Sequence, residues 1–142
     1  MTRYTTPDLS FDPPAGWQDR SVTVFSAPSS ELASGGPNIV LTRDALREGE
    51  GLDGYSDRQL VELAKRLDQF TLVHRRAARV GGAAAVEIAF EWRASVGTLT
   101  QRLVMVHAPS GAVLSATASA PSASADAVMS AFEAMLATAR FT

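Results

Sequence analysis

Ala83-Ala-Ala-Val-Glu-Ile-Ala-Phe-Glu-Trp-Arg93 and, beyond Gly97, Thr98-Leu-Thr-Gln-Arg-Leu-Val-Met-Val-His107 decide the fold class of this chain. In the first, Glu87 and Glu91 alternate with Ile88, Phe90 and Trp92, a period of two that marks a strand. The second runs long in aliphatic and β-branched residues. Residues 70–80 before them and 112–119 after them read the same way. Gly81–Gly82, Gly97 and Pro109-Ser-Gly111 separate the four segments, each with a residue that tolerates positive φ. The centre of the chain is therefore a meander of four hairpin-linked strands.

Working outward, Ser21-Val-Thr-Val-Phe-Ser-Ala27 is a further alternating strand that Pro28 ends. Residues 29–37 form a small-residue loop, and Asn38-Ile-Val-Leu-Thr-Arg43 is the expected antiparallel partner. The first twenty residues are broken by Pro7, Pro13, Pro14 and Gly16 into two short extended pieces, with Trp17 expected to plug an edge of the core. Residues 48–54 form an acidic glycine-rich loop. Ser56-Asp-Arg-Gln59 fits a capping box, which starts a helix over 57–68 with Leu60, Leu63, Ala64 and Leu67 as its stripe. A last helix begins near Ser124 and buries Val128, Phe132, Met135 and Leu136. Strands, helix, four strands, helix is an α+β order: an antiparallel sheet with two helices packed on one face.

With 142 residues the chain has the size of one domain, 1–142, burying about two-thirds of its unfolded surface. It has no Cys, which excludes thiolate metal sites and thiol catalysis and fits a reducing compartment. The 13 basic and 15 acidic residues leave a net charge of −2, without the basic footprint of a nucleic-acid binder. Arg75, Arg76 and Arg79 are the densest positive cluster and read as a solvated edge. The N-terminus lacks the apolar core of a secretory signal, and no apolar run approaches the roughly 20 residues that span a bilayer. A cytoplasmic location without membrane insertion is expected.

Few motifs carry chemistry. Gly49-Glu-Gly-Leu-Asp-Gly54 matches G-x-G-x-x-G, but a dinucleotide site needs the glycines directly after a strand. Glu50 and Asp53 would also stand beside the phosphates, so a flexible loop ahead of a helix is expected. The only histidines, His74 and His107, lie near strand ends with no third ligand indicated. No G-x-S-x-G elbow occurs. Glu87 and Glu91 share a strand face, a pattern of acid/base pairs but also of any less buried sheet face. No catalytic residue, metal or cofactor is expected, and the chain reads as a binding protein.

Alternation divides the strands into two faces. Phe25, Ile39, Leu41, Leu99, Leu103 and Met105 make the apolar one, expected under the helices. Val22, Val24, Asn38, Val40, Thr42, Thr98, Thr100, Arg102 and Val104 make a mixed one, on the assumption that the strands are in matching register. Such a face is either an ordinary solvated surface or a groove for an apolar partner that also carries polar groups.

The run Gly16-Trp17-Gln-Asp-Arg-Ser-Val-Thr-Val-Phe25, with Ile39-Val-Leu-Thr-Arg-Asp44 and Gln59-Leu60, resembles the Eag-type effector-associated chaperones of bacterial type VI secretion. Ala83-Ala-Ala-Val86, Phe90-Glu-Trp92 and the Thr/Ser/Ala-rich strand ending at Pro121 extend the resemblance over nearly the whole chain. These chaperones are DcrB-related and have a Mog1/PsbP-like fold. The resemblance implies a cytoplasmic homodimer that holds the N-terminal transmembrane segments of a PAAR or Rhs effector before loading. It places groove residues at Val22, Val24, Val40 and Gln59, with Asn38, Thr42, Leu63, Thr100, Arg102 and Val104 as further members. The family pattern also implies a Gln near Arg102, where a charged donor would need Glu87 or Glu91 as partner. The alternative is a DcrB-like ligand-binding or accessory domain with no effector client.

Overall fold

Gly81 and Gly82 hold φ at +57° and +82°, the pair of left-handed residues that a two-residue hairpin turn requires. They join β5 (Thr71–Val80) to β6 (Ala83–Ala94), which continues into β7 (Gly97–His107) and β8 (Ala112–Pro121). The expected meander is present, with boundaries within one or two residues of those read from composition. The structure, a computed structural model, describes residues 3–28 and 37–142. Most of the expected small-residue loop, residues 29–36, lies outside the described residues.

Upstream of the meander are β1 (Tyr4–Thr5), β2 (Ser10–Phe11), β3 (Thr23–Ser26), β4 (Asn38–Ala45) and α1 (Leu52–Arg66). A short 3₁₀ turn after β8 leads into α2 (Ala125–Ala137). Among the described residues β1 and β2 pair only with each other, and the six longer strands form one antiparallel sheet in the order β3-β4-β8-β7-β6-β5. The expected α+β class with an antiparallel sheet and two helices holds.

The two helices do not share a face. Cross-strand partners point to the same side of a sheet. One row runs Val24, Val40, Thr117, Leu103, Ile88, and the next runs Phe25, Ile39, Ala118, Arg102, Ala89. Leu52, Leu60 and Leu63 of α1, with Leu67 at its C-cap, pack on the first side, against Ile88, Phe90, Leu103 and Met105. Met129 and Phe132 of α2 pack on the second, against Val104, Ala116 and Ala118. The sheet is therefore a filling between one helix on each side. The cause is register: Leu103 aligns with Val40 and not with Ile39, so the two apolar sets that alternation had merged belong to opposite faces.

Two local expectations also change. Helix α1 begins one turn earlier, with Gly51 at the N-cap and Asp53 in the first turn. Ser56 is inside the helix, buried, with its hydroxyl donating 2.9 Å to the Asp53 carbonyl, so there is no capping box. Trp17 is 76% exposed and plugs no core edge.

Candidate functional site

The open part of the α1 face is the candidate site, and it follows from how α1 is anchored. On one flank, Arg75 from β5 donates 2.5 Å to Asp57 and also bonds the hydroxyl of Ser56. On the other flank, Tyr55 donates 2.8 Å to Asp44 at the end of β4. Burial, aided by this bond and the charge of Asp44, pushes the Tyr55 phenol up to about 12. Tyr55 thus stays a neutral donor and pins the helix over the ends of β4 and β8. From there α1 runs across β7 and β6, so that among the described residues β3, β4 and most of β8 have no helix over them on this side.

The uncovered floor alternates apolar and hydroxyl groups. Val24 lies opposite Val40, which lies opposite Thr117; Asn38 lies opposite Ser119, and Thr42 opposite Ser115. Val22 precedes β3 in the same alternation, and both it and Val24 are 55% exposed. Gln59 and Leu63 follow Tyr55 at intervals of four residues, which puts them on the same side of α1 as Tyr55. Toward β7 the floor ends in a polar chain. The Trp92 indole donates 2.6 Å to the Gln101 carbonyl oxygen, and the Gln101 amide donates to the Ser119 hydroxyl.

Of the ten groove residues expected from the sequence, Val22, Val24, Asn38, Val40 and Thr42 share this floor, while Gln59 and Leu63 lie on α1, with Leu63 packed on the core beneath it. Thr100, Arg102 and Val104 do not belong to it. Their register puts them on the opposite face, with Val104 buried beneath α2. Gln101, adjacent to Arg102 in sequence, is a polar β7 residue on this side, opposite Ser119. The hydroxyls of Ser115, Thr117 and Ser119 escaped the sequence reading. Their signal was the alternation of β8 itself, which places Ser and Thr on this side and Ala112, Ala116, Ala118 and Ala120 on the other.

Arg102 has a structural task instead. It donates 2.8 Å to Glu87 and 2.6 Å to Glu133 of α2, while His74 and Arg76 approach Glu87 at 2.7 and 2.8 Å. Burial works against the Glu87 carboxylate, but the His74 hydrogen bond and the charges of Arg102 and Arg76 outweigh it. The net result holds its pKa below the ordinary 4.5. A depressed carboxyl contributes stability that is fully present above its unfolded pKa and is lost as pH falls through the folded value. Thermal unfolding should therefore show stability declining below about pH 4.5. Glu87→Gln should start lower at neutral pH and decline less over that acid window; equal declines would assign the acid loss to other carboxylates.

The remaining chemistry motifs find structural uses. Glu50 receives Arg58 through two bonds, of 3.1 and 2.8 Å, and these with the Arg47 amide lower its pKa to about 2. A fixed carboxylate thus stands in the glycine loop where a phosphate would approach. His74 and His107 lie on opposite faces and do not meet. Among the described residues no group of three or more His, Asp or Glu is placed to hold a metal ion. Among them, too, no helix is long and apolar enough to cross a membrane.

The chain, an antiparallel sheet with one helix on each side, belongs to the DcrB family: residues 8–138 match the DcrB family model. The Eag-type resemblance holds as well. The chain is 31% identical over 107 residues to the Pseudomonas aeruginosa protein Effector EagT6, covering 75% of this chain and 74% of that one. A solved structure of a Pseudomonas aeruginosa protein of unknown function, PA94, described as a putative regulator, matches with a TM-score of 0.83. It is 27% identical, with 100% of this chain and 97% of that one covered. The solution structure of cyanobacterial PsbP from Synechocystis matches with a TM-score of 0.57 at 13% identity, over 96% of this chain and 89% of that one. LpqN of Mycobacterium tuberculosis, involved in cell envelope biogenesis, matches with a TM-score of 0.58 at 18% identity, over 85% and 84% of the two chains. These last two show the fold alone, which is PsbP-like.

Proposed function

We propose that the chain is a cytoplasmic chaperone, acting as a single DcrB-related unit and paired as a homodimer, that holds the N-terminal membrane segments of a type VI secretion effector of the PAAR or Rhs kind. The open α1 face is the holding surface, and the work is binding rather than catalysis. The observation that carries this reading is the floor itself, where Val24 and Val40 alternate with Asn38, Thr42, Thr117 and Ser119. A membrane helix in water exposes a large apolar patch and aggregates unless it is covered. Aliphatic floor residues replace its lipid contacts. Hydroxyl and amide groups meet the polar and backbone atoms that small-residue helix faces leave accessible. The similarity to Effector EagT6 supports the connection to secreted effectors.

Co-expression with an effector fragment carrying two N-terminal membrane helices tests this. The fragment should be recovered in the soluble fraction, in complex, only when the chaperone is present. A fragment equally insoluble with and without it sinks the proposal.

A further inference from the structure

The other face of the sheet holds a second concavity, unrelated to the groove. Where β3 and β4 pass the C-terminal end of α2, a cavity of about 560 Å³ opens, within the range of about 300–1,000 Å³ typical of small-molecule sites. Its walls are mainly apolar, with Leu41, Val104, Val106, Met135 and Leu136, and Thr23 and Thr138 add hydroxyls. The C-terminal tail folds over one end. Phe141 packs on Gly81 so closely that a Cβ there would lie 2.9 Å from its ring.

Beyond Phe141 lies a smaller chamber of about 350 Å³ with polar walls, including Ser110 and Thr142. The two chambers share Arg43, Leu114, Arg140 and Phe141. Neither arginine has an ion pair among the described residues. Asp19, which feels the charge of Arg43, is held instead by the amide and hydroxyl of Ser21. An apolar chamber opening past two uncommitted guanidinium groups is complementary to one kind of molecule, an alkyl chain that ends in an anion.

We propose that this cavity binds a fatty acid, with its alkyl chain along Val104, Val106 and Leu136 and its carboxylate between Arg43 and Arg140. The site is independent of the membrane-helix groove, which lies on the opposite side of the sheet.

The test is isothermal titration of decanoate, below its micelle concentration, into the full chain. Saturable one-to-one binding is expected. Arg43→Gln with Arg140→Gln should weaken it roughly tenfold or more, since each removes a charge-assisted bond. Both side chains are exposed, so folding should persist, and the unfolding temperature checks this. 1-Decanol, with the same tail and no charge, should bind the unaltered protein at least tenfold more weakly than decanoate, again for want of that bond. Thr23→Trp, on the exposed edge strand bordering the chamber, should block decanoate, and Val40→Asp on the other face should leave it unchanged. No saturable binding, equal binding of decanol, or sensitivity to Val40→Asp in place of the arginines would overturn the proposal.

Discussion

Phe132→Ala is expected to destabilise the fold by about 3–5 kcal/mol, the range for removing a fully buried aromatic side chain. Phe132 is 0% exposed and is the anchor by which α2 holds its face of the sheet. The cost should fall in the upper half of that range because of what lies beneath it. On this side β8 presents Ala116 and Ala118, with Ala120 next in line, residues with no side-chain length to swing into the vacated space. The cavity would stay open, and its lining would lose dispersion contacts without replacement. Set against a typical total of about 5–15 kcal/mol, the variant loses much of its stability. Urea unfolding should show a markedly lower midpoint at an unchanged slope. A loss under about 1 kcal/mol would mean that α2 is held elsewhere, with Glu133–Arg102 as the remaining candidate.

What was legible in the residues, and what was not, divides along a physical line. The strands of the meander could be read nearly to the residue, because period-two alternation and the glycine turns at Gly81–Gly82, Gly97 and Gly111 are local signals. The start of α1 was displaced because Ser56 and Gln59 imitate a capping box, whereas the helix takes Gly51 as its cap and uses Ser56 to bond Asp53 and Arg75. The open face was legible only in part, for a third reason. Within β3 and β4 the face is a local property, so Val24, Asn38, Val40 and Thr42 were placed together correctly. Extending it to β7 needed the register across β8, a non-local quantity that alternation leaves free by one residue. That one residue exchanged Gln101 for Arg102 and moved α2 to the other side. Nor could exposure of Trp17 be foreseen, since an indole after a proline-rich turn has no period to read.

Val24→Asp is expected to abolish capture of a membrane-helix client while lowering stability by no more than about 1 kcal/mol, the span of strand propensity at a surface position. The difference between the two effects comes from what the side chain faces in each state. In the free protein Val24 is 55% exposed on the edge strand, so an aspartate there stays hydrated. In the complex the proposed client covers it, and an unpaired carboxylate against an apolar helix costs several kcal/mol or forces the client away. Phe25→Asp is the matching control. Phe25 is the next residue on the same strand, 56% exposed, and points to the opposite face. It carries the same charge change and the same propensity loss, so it should leave capture intact if the client lies on the α1 side. Co-purification of the client with each variant, alongside their unfolding temperatures, separates the cases. Capture lost in both would point to damage to β3, visible as a common fall in unfolding temperature. Capture lost only in Phe25→Asp would move the client to the α2 face and refute the groove. Because the two residues are neighbours in sequence and point to opposite faces, the comparison tests the one feature on which the proposed function rests, which side of the sheet the client occupies.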